Sequence, residues 1–100
     1  MQELEALPET PEQADETREA AGRELSGLLD VMARGIVDHP EGVSVNVVQS
    51  GSTVVLELTV AKDDIGKVIG RGGAMAGALR TILCNTAAKY NKRAILEIIE

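Results

Sequence analysis

The chain has no Phe, no Trp and one Tyr, so any core it forms must be aliphatic. Hydrophobic residues still make up 44% of its 100 positions, enough for one small domain. With a single cysteine, Cys84, no internal disulfide can form; that fits a reducing compartment and gives the expectation of a cytoplasmic protein. No apolar run reaches the length of a membrane span, and the N-terminus lacks the basic-then-apolar pattern of a secretory signal. Candidates for catalysis are few. His39 is alone beside Pro40 and reads as a turn residue, and Cys84 reads as a small core residue in mid-helix. Asp63 and Asp64 suit a helix start better than a metal, and no Cys/His set has ligand spacing.

Positive charge is also scarce, with ten Lys and Arg against sixteen acids and a formal net charge of −6. Its distribution matters more than its sum. Residues 1–22 hold seven acids against Arg18 alone and account for the whole excess, while residues 23–100 are neutral. A local basic site on the second part is therefore compatible with the acidic total. The division predicts an acidic N-terminal tail over 1–22, mobile or partly helical, and a domain over 23–100. Thr10-Pro11-Glu12-Gln13 offers an N-cap, a first-turn proline and a capping-box partner, so a frayed helix from Pro11 is compatible with the tail.

Beyond the tail, Leu25, Leu28, Leu29, Met32 and Ile36 keep helical spacing until Asp38-His39-Pro40-Glu41-Gly42 ends the helix. Val43, Val45 and Val47 alternate with Ser44 and Asn46, and after the turn at Gln49–Ser52 Val54, Leu56, Leu58 and Val60 alternate with Thr53, Val55, Glu57 and Thr59, which predicts a hairpin. Asp63 is placed to cap a short helix, 64–69. Gly70-Arg71-Gly72-Gly73 follows, and then a long helix with Met75, Leu79, Ile82, Leu83, Thr86 and Tyr90 assigned to its packed face. Residues 93–100 close the chain as a strand, joined to the previous one by a helical crossover and so expected to lie parallel to it. The expected fold is α+β in the order α-β-β-α-α-β, a three-stranded mixed sheet with three helices on one face.

The glycine elbow carries the functional reading. A sharp bend between helices needs positive φ at one or two glycines, but it does not need Arg71 at the tip. An anion site does. The loop enters a helix N-terminus, where amides lack partners and the helix dipole favours negative charge. Gly70 and Gly73 leave the main chain bare, Arg71 supplies a forked cationic donor, and Lys67 extends the positive edge.

The segments VDHPEGVSVNVV, DDIGKVIGRGG, ALRTIL and KRAILEIIE, in that order, resemble a type II, bacterial-style K-homology (KH) domain, and more narrowly the small single-domain KhpA-type proteins. The likeness covers about three quarters of the chain and leaves the acidic segment outside. It implies a non-catalytic protein that binds single-stranded RNA with little sequence stringency, using a Gly-x-x-Gly loop that holds the phosphate backbone. It implies action in RNA regulation, as an RNA chaperone, with no cofactor. It also implies pairing, with itself or with a KhpB-type multidomain KH protein. Carried onto this chain, Gly70, Arg71, Gly72, Gly73 and Lys67 would hold phosphates, and Ile65, Val68 and Ile69 would floor a groove under the bases. The lack of aromatic platforms leaves backbone contact, hydrogen bonding and aliphatic packing as the means of binding, so one copy should bind modestly.

Two rival readings differ in class. A nucleotide-phosphate-binding enzyme would need a recognised glycine fingerprint. Gly66-Lys67 opens the loop rather than closing it, Val68 stands where Ser or Thr belongs, and Met75 stands where a dinucleotide motif needs glycine. A protein-interaction module without RNA binding would be favoured by an acidic loop, and Arg71 and Gly72 point the other way.

Overall fold

A computed structural model describes residues 11–100 of the chain, with side chains from residue 20 onward. Its elements are α1 (Pro11–Ile36), β1 (Ser44–Ser50), β2 (Thr53–Thr59), α2 (Ile65–Ile69), α3 (Ala74–Ala88) and β3 (Arg93–Ile99), with short 3-10 turns at Pro40–Gly42, Lys62–Asp64 and Arg71–Gly73. The order and the α+β class are those expected from the sequence. Residues 1–10 of the acidic segment lie outside the described residues.

The helix α1 runs without a break from Pro11 across position 22, the division drawn from charge. Its core stripe repeats every fourth residue, Ala21, Leu25, Leu29 and Ala33, all fully buried, with Leu28, Met32 and Ile36 flanking it. Gly22 is buried too, and a Cβ added there would meet the Gln49 side-chain amide at 2.6 Å. At the far end, the Arg34 guanidinium bonds Asp30 one turn back, at 3.0 and 3.1 Å, and donates to the Pro40 carbonyl at 3.1 Å. This fastens the helix end to the proline turn that stops it.

β1 and β2 form an antiparallel hairpin, with Ser50 opposite Thr53 and Gly51 at φ 60° in the turn. β2 pairs with β3 in parallel, so β2 is the central strand of a mixed sheet. The crossover from α3 ends at Asn91, whose φ of 60° makes a left-handed cap; the Lys92 amide reaches back to the Ala87 carbonyl at 3.0 Å. The Arg93 amide then bonds the Ser52 carbonyl at 2.8 Å and starts the parallel pairing. Val54, Leu56 and Leu58 on β2, with Ala94 and Leu96 on β3, point to the helical layer and are buried there. Each fully buried leucine stabilises the fold by about 1.5–3 kcal/mol relative to exposure.

Two expectations are corrected. In α3 the packed face is Ala76, Leu79, Leu83 and Ala87, while Met75 and Ile82 are exposed. Leu79 and Leu83 keep the expected face, and the buried stripe continues through Ala76 and Ala87 at the same helical spacing. Cys84 is exposed rather than core, its thiol 3.5 Å from the Ala94 carbonyl. Tyr90 is half-buried, and its hydroxyl donates to the Glu24 carboxylate. Lys89 Nζ lies 2.7 Å from the same carboxylate, so one acid ties the end of α3 to α1. The lysine and tyrosine hydrogen bonds hold the Glu24 carboxyl below the usual range.

Among the described residues, no helix is long and apolar enough to cross a membrane.

Candidate nucleic-acid interface

α2 and α3 meet at the elbow, and the four residues between them play different parts. Gly70 ends α2 at φ 80°, ψ 172°, a conformation open essentially to glycine alone. A Cβ at Gly70 would lie 2.7 Å from both N and Cβ of Met75. The missing side chain of Gly70 is thus filled by the start of α3, not left open for a ligand. Gly72 (φ 62°) and Gly73 (φ 81°) are also left-handed, but nothing lies within 4 Å of where their Cβ atoms would be. Open space therefore lies over Gly72 and Gly73, and not over Gly70.

Arg71 is exposed at the tip and makes no ion pair or side-chain hydrogen bond with any described residue. The Gly73 amide is turned back to the Gly70 carbonyl at 3.1 Å, and Ala74 to Arg71. These two bonds hold the loop in a tight 3-10 turn. Among the described residues no side chain caps the N-terminus of α3, where the helix dipole favours negative charge.

The other proposed contacts divide by burial. Lys67 is half-exposed, its Nζ 3.3 Å from Asp38 Oδ2, a surface pair that a phosphate can compete with. Ile69 is half-buried and is not among the side chains packed on the core. Ile65 is half-buried and does pack on the core. Val68 is fully buried in the core and presents nothing to a base.

Sequence reasoning missed what holds α2 in place. Asp64, not Asp63, is the residue before α2, and its side chain caps nothing. It turns inward, 1% exposed, the one charged residue buried among those described. There it accepts the amides of Asp38 at 3.2 Å and His39 at 2.9 Å, and its Oδ2 lies 3.0 Å from His39 Nδ1. A carboxylate thus staples the turn after α1 to the helix that leads into the elbow. The partners are 25 residues apart, beyond the reach of a local motif.

Burial pushes the Asp64 carboxyl up, but the His39 ring, the two amides and the His39 charge outweigh it and leave it below its ordinary 3.8. The Asp64 hydrogen bond, then its charge, raise His39 above its ordinary 6.5. The sign of the pH effect follows. The His39 contribution to stability is complete below 6.5 and fades as pH rises through the higher folded value. The Asp64 contribution is complete above 3.8 and fades as pH falls through the lower folded value. The clasp is strongest between the two. Replacing His39 by Asn is therefore expected to lower the melting temperature more at about pH 5.5 than at about pH 9. Thermal melts of parent and variant at both values check this, and equal losses would show that the imidazolium contributes nothing.

The family model described as "KhpA/KhpB, KH domain" matches residues 26–98. The protein called RNA-binding protein KhpA in Clostridium acetobutylicum is 46% identical over 75 residues, which is 75% of this chain and all of that protein. Its counterpart in Clostridium perfringens is 44% identical over the same shares. That of Borreliella burgdorferi is 40% identical over 79 residues, 79% of this chain and 95% of the relative. The matched region runs from α1 through the Asp64 staple and the elbow to β3, and on this likeness the chain belongs to the KhpA/KhpB family of KH domains.

Proposed function

We propose that the protein binds single-stranded RNA through the Gly70–Gly73 elbow, without catalysis and with low sequence stringency, as an RNA chaperone or regulator in a bacterial cytoplasm. The observation that carries this is an Arg71 with no partner among the described residues, beside two glycines with open space over them, at the start of α3. Its support from outside the chain is that the relatives above bear the name RNA-binding protein.

Arg71 donates to phosphate oxygens in a charge-assisted, forked contact. Gly72 and Gly73 let the sugar–phosphate backbone reach the main chain. Lys67 exchanges Asp38 for a second phosphate. Ile69, with Ile65 behind it, supplies an aliphatic surface for bases; Val68 supports them from the core. One copy binds modestly, and pairing with a second copy or with a larger multidomain KH protein raises the effective concentration of sites.

Salt titration tests the electrostatic part. Two to four neutralised phosphates at about −0.7 each give a log–log slope of roughly −1.4 to −2.8 on single strands. Fluorescence anisotropy of a labelled single-stranded oligoribonucleotide across a salt series measures it. A slope near zero would remove phosphate contact as the basis of binding.

A further inference from the structure

Asp38, His39, Asp64 and Lys67 form one cluster, which joins the turn after α1 to the helix that leads into the elbow. The buried Asp64 carboxylate accepts the amides of Asp38 and His39 and meets the ring at Nδ1, 3.0 Å away. An ionised carboxylate can only accept, so the ring keeps a proton on Nδ1, and a further proton goes to Nε2. The His39 side chain is half-exposed, so water supplies that proton. Titration therefore changes the charge of the cluster and leaves its hydrogen bonds in place. The bond from the Asp38 amide to Asp64 also sets where Asp38 stands, with its Oδ2 3.3 Å from Lys67 Nζ.

While the ring is neutral, the charges of the cluster do not balance. Two carboxylates, Asp38 and Asp64, face one ammonium, Lys67. Asp38 and Glu41 act on His39 from its own turn, and Asp64 acts from the turn before α2. Lys67 of α2 stands across Asp38, and at the end of α1 Arg34 is already held by Asp30 and the Pro40 carbonyl. His39 is the one histidine of the chain, and with Asp64 beside it the ring changes charge above its ordinary 6.5. Once charged, it balances the cluster and shares the Asp38 carboxylate with Lys67. An ammonium held less firmly is easier for a phosphate to take.

We propose that protonation of His39 loosens the hold of Asp38 on Lys67, so that the elbow binds single-stranded RNA more tightly in mildly acidic than in mildly alkaline solution. This rests on the reading above that RNA binds at the elbow with Lys67 on a phosphate, and it names what regulates that contact. Both side chains of the Asp38–Lys67 pair are largely exposed, so the effect is modest, about threefold in affinity. Linkage is reciprocal. Bound RNA must therefore raise the midpoint of the His39 titration by the logarithm of the same factor, about half a pH unit.

Anisotropy titrations of the full chain at about pH 5.5 and about pH 8.5 test this, with a labelled oligouridylate whose bases do not titrate between those values. Circular dichroism confirms folding of each variant at both. The parent should bind about threefold more tightly at the lower pH. His39→Asn should keep the weaker affinity at both values, because it lacks the charge that frees Lys67. Asp38→Asn should keep the tighter affinity at both, because it lacks the carboxylate that holds Lys67. A cluster that only supports the fold would weaken binding in both variants, and that result overturns the proposal. Nuclear magnetic resonance of the His39 ring in the parent, free and saturated with RNA, reads the midpoint directly and decides even where a variant fails to fold. An unmoved midpoint, equal parent affinities at the two values, or a pH dependence that survives in His39→Asn overturns the proton link and leaves the elbow reading standing. A parent that binds RNA at neither value overturns both.

Discussion

Replacing Arg71 and Gly72 together by Asp is expected to abolish RNA binding while the fold survives. The loss of the guanidinium removes a charge-assisted contact of about 1.5–3 kcal/mol. Two carboxylates at the loop tip then repel the phosphates that the parent attracts. Together these should weaken binding by about a hundredfold or more, at about 1.4 kcal/mol per tenfold. The fold has little reason to suffer. Arg71 is exposed and bonded to no described side chain, and a side chain at Gly72 enters open space. The left-handed backbone at Gly72 (φ 62°, ψ 18°) is one that Asp adopts more readily than most residues. Anisotropy titration together with a circular dichroism melt checks both halves. A folded double variant that binds like the parent would show that the RNA site lies elsewhere.

Replacing Gly70 by Ala should do the reverse and damage the structure first. Its backbone at φ 80°, ψ 172° costs any other residue about 1–3 kcal/mol. The new methyl also meets backbone N and Cβ of Met75 at 2.7 Å, which no change of rotamer can relieve. The start of α3 must shift, carrying the uncapped amides and Arg71 with it. Gly73→Ala is the control. It shares the positive φ, at 81°, but has open space over it, so it should cost only the left-handed penalty of about 1–2 kcal/mol. Urea denaturation of the two variants measures the difference. Equal stabilities would mean that the contact between Gly70 and Met75 contributes nothing.

The contrast between these glycines marks how far the sequence could be read. Periodicity gave the hairpin, the parallel last strand and the order of helices, because β-branched alternation at Val43–Val47 and Val54–Val60 is a local signal. The elbow was legible because glycine and arginine together ask for more than a turn. On the packed face of α3 the pattern places Leu79 and Leu83 correctly but not Met75 and Ile82, which sit at helical spacing and outweigh alanines on any hydrophobicity scale. The folded chain buries Ala76 and Ala87 beside Leu79 and Leu83 instead. The Asp64 staple was out of reach for a different reason. It joins positions 25 and 26 residues apart, and only the folded chain brings the carboxylate to the amides of Asp38 and His39. The distinct roles of Gly70, Gly72 and Gly73 follow from which neighbour fills each missing side chain, and a sequence of identical letters does not show it.

The central claim is that RNA lies against the main chain at the start of α3. Amide chemical-shift mapping during titration with a single-stranded oligoribonucleotide tests it most directly. The largest shifts should fall at Arg71 to Met75, with smaller ones at Lys67 and Ile69 and little change at Val48, Val55 and Ile95, on the face of the sheet turned away from the helices. Shifts concentrated on that sheet face, with the elbow amides unmoved, would contradict it.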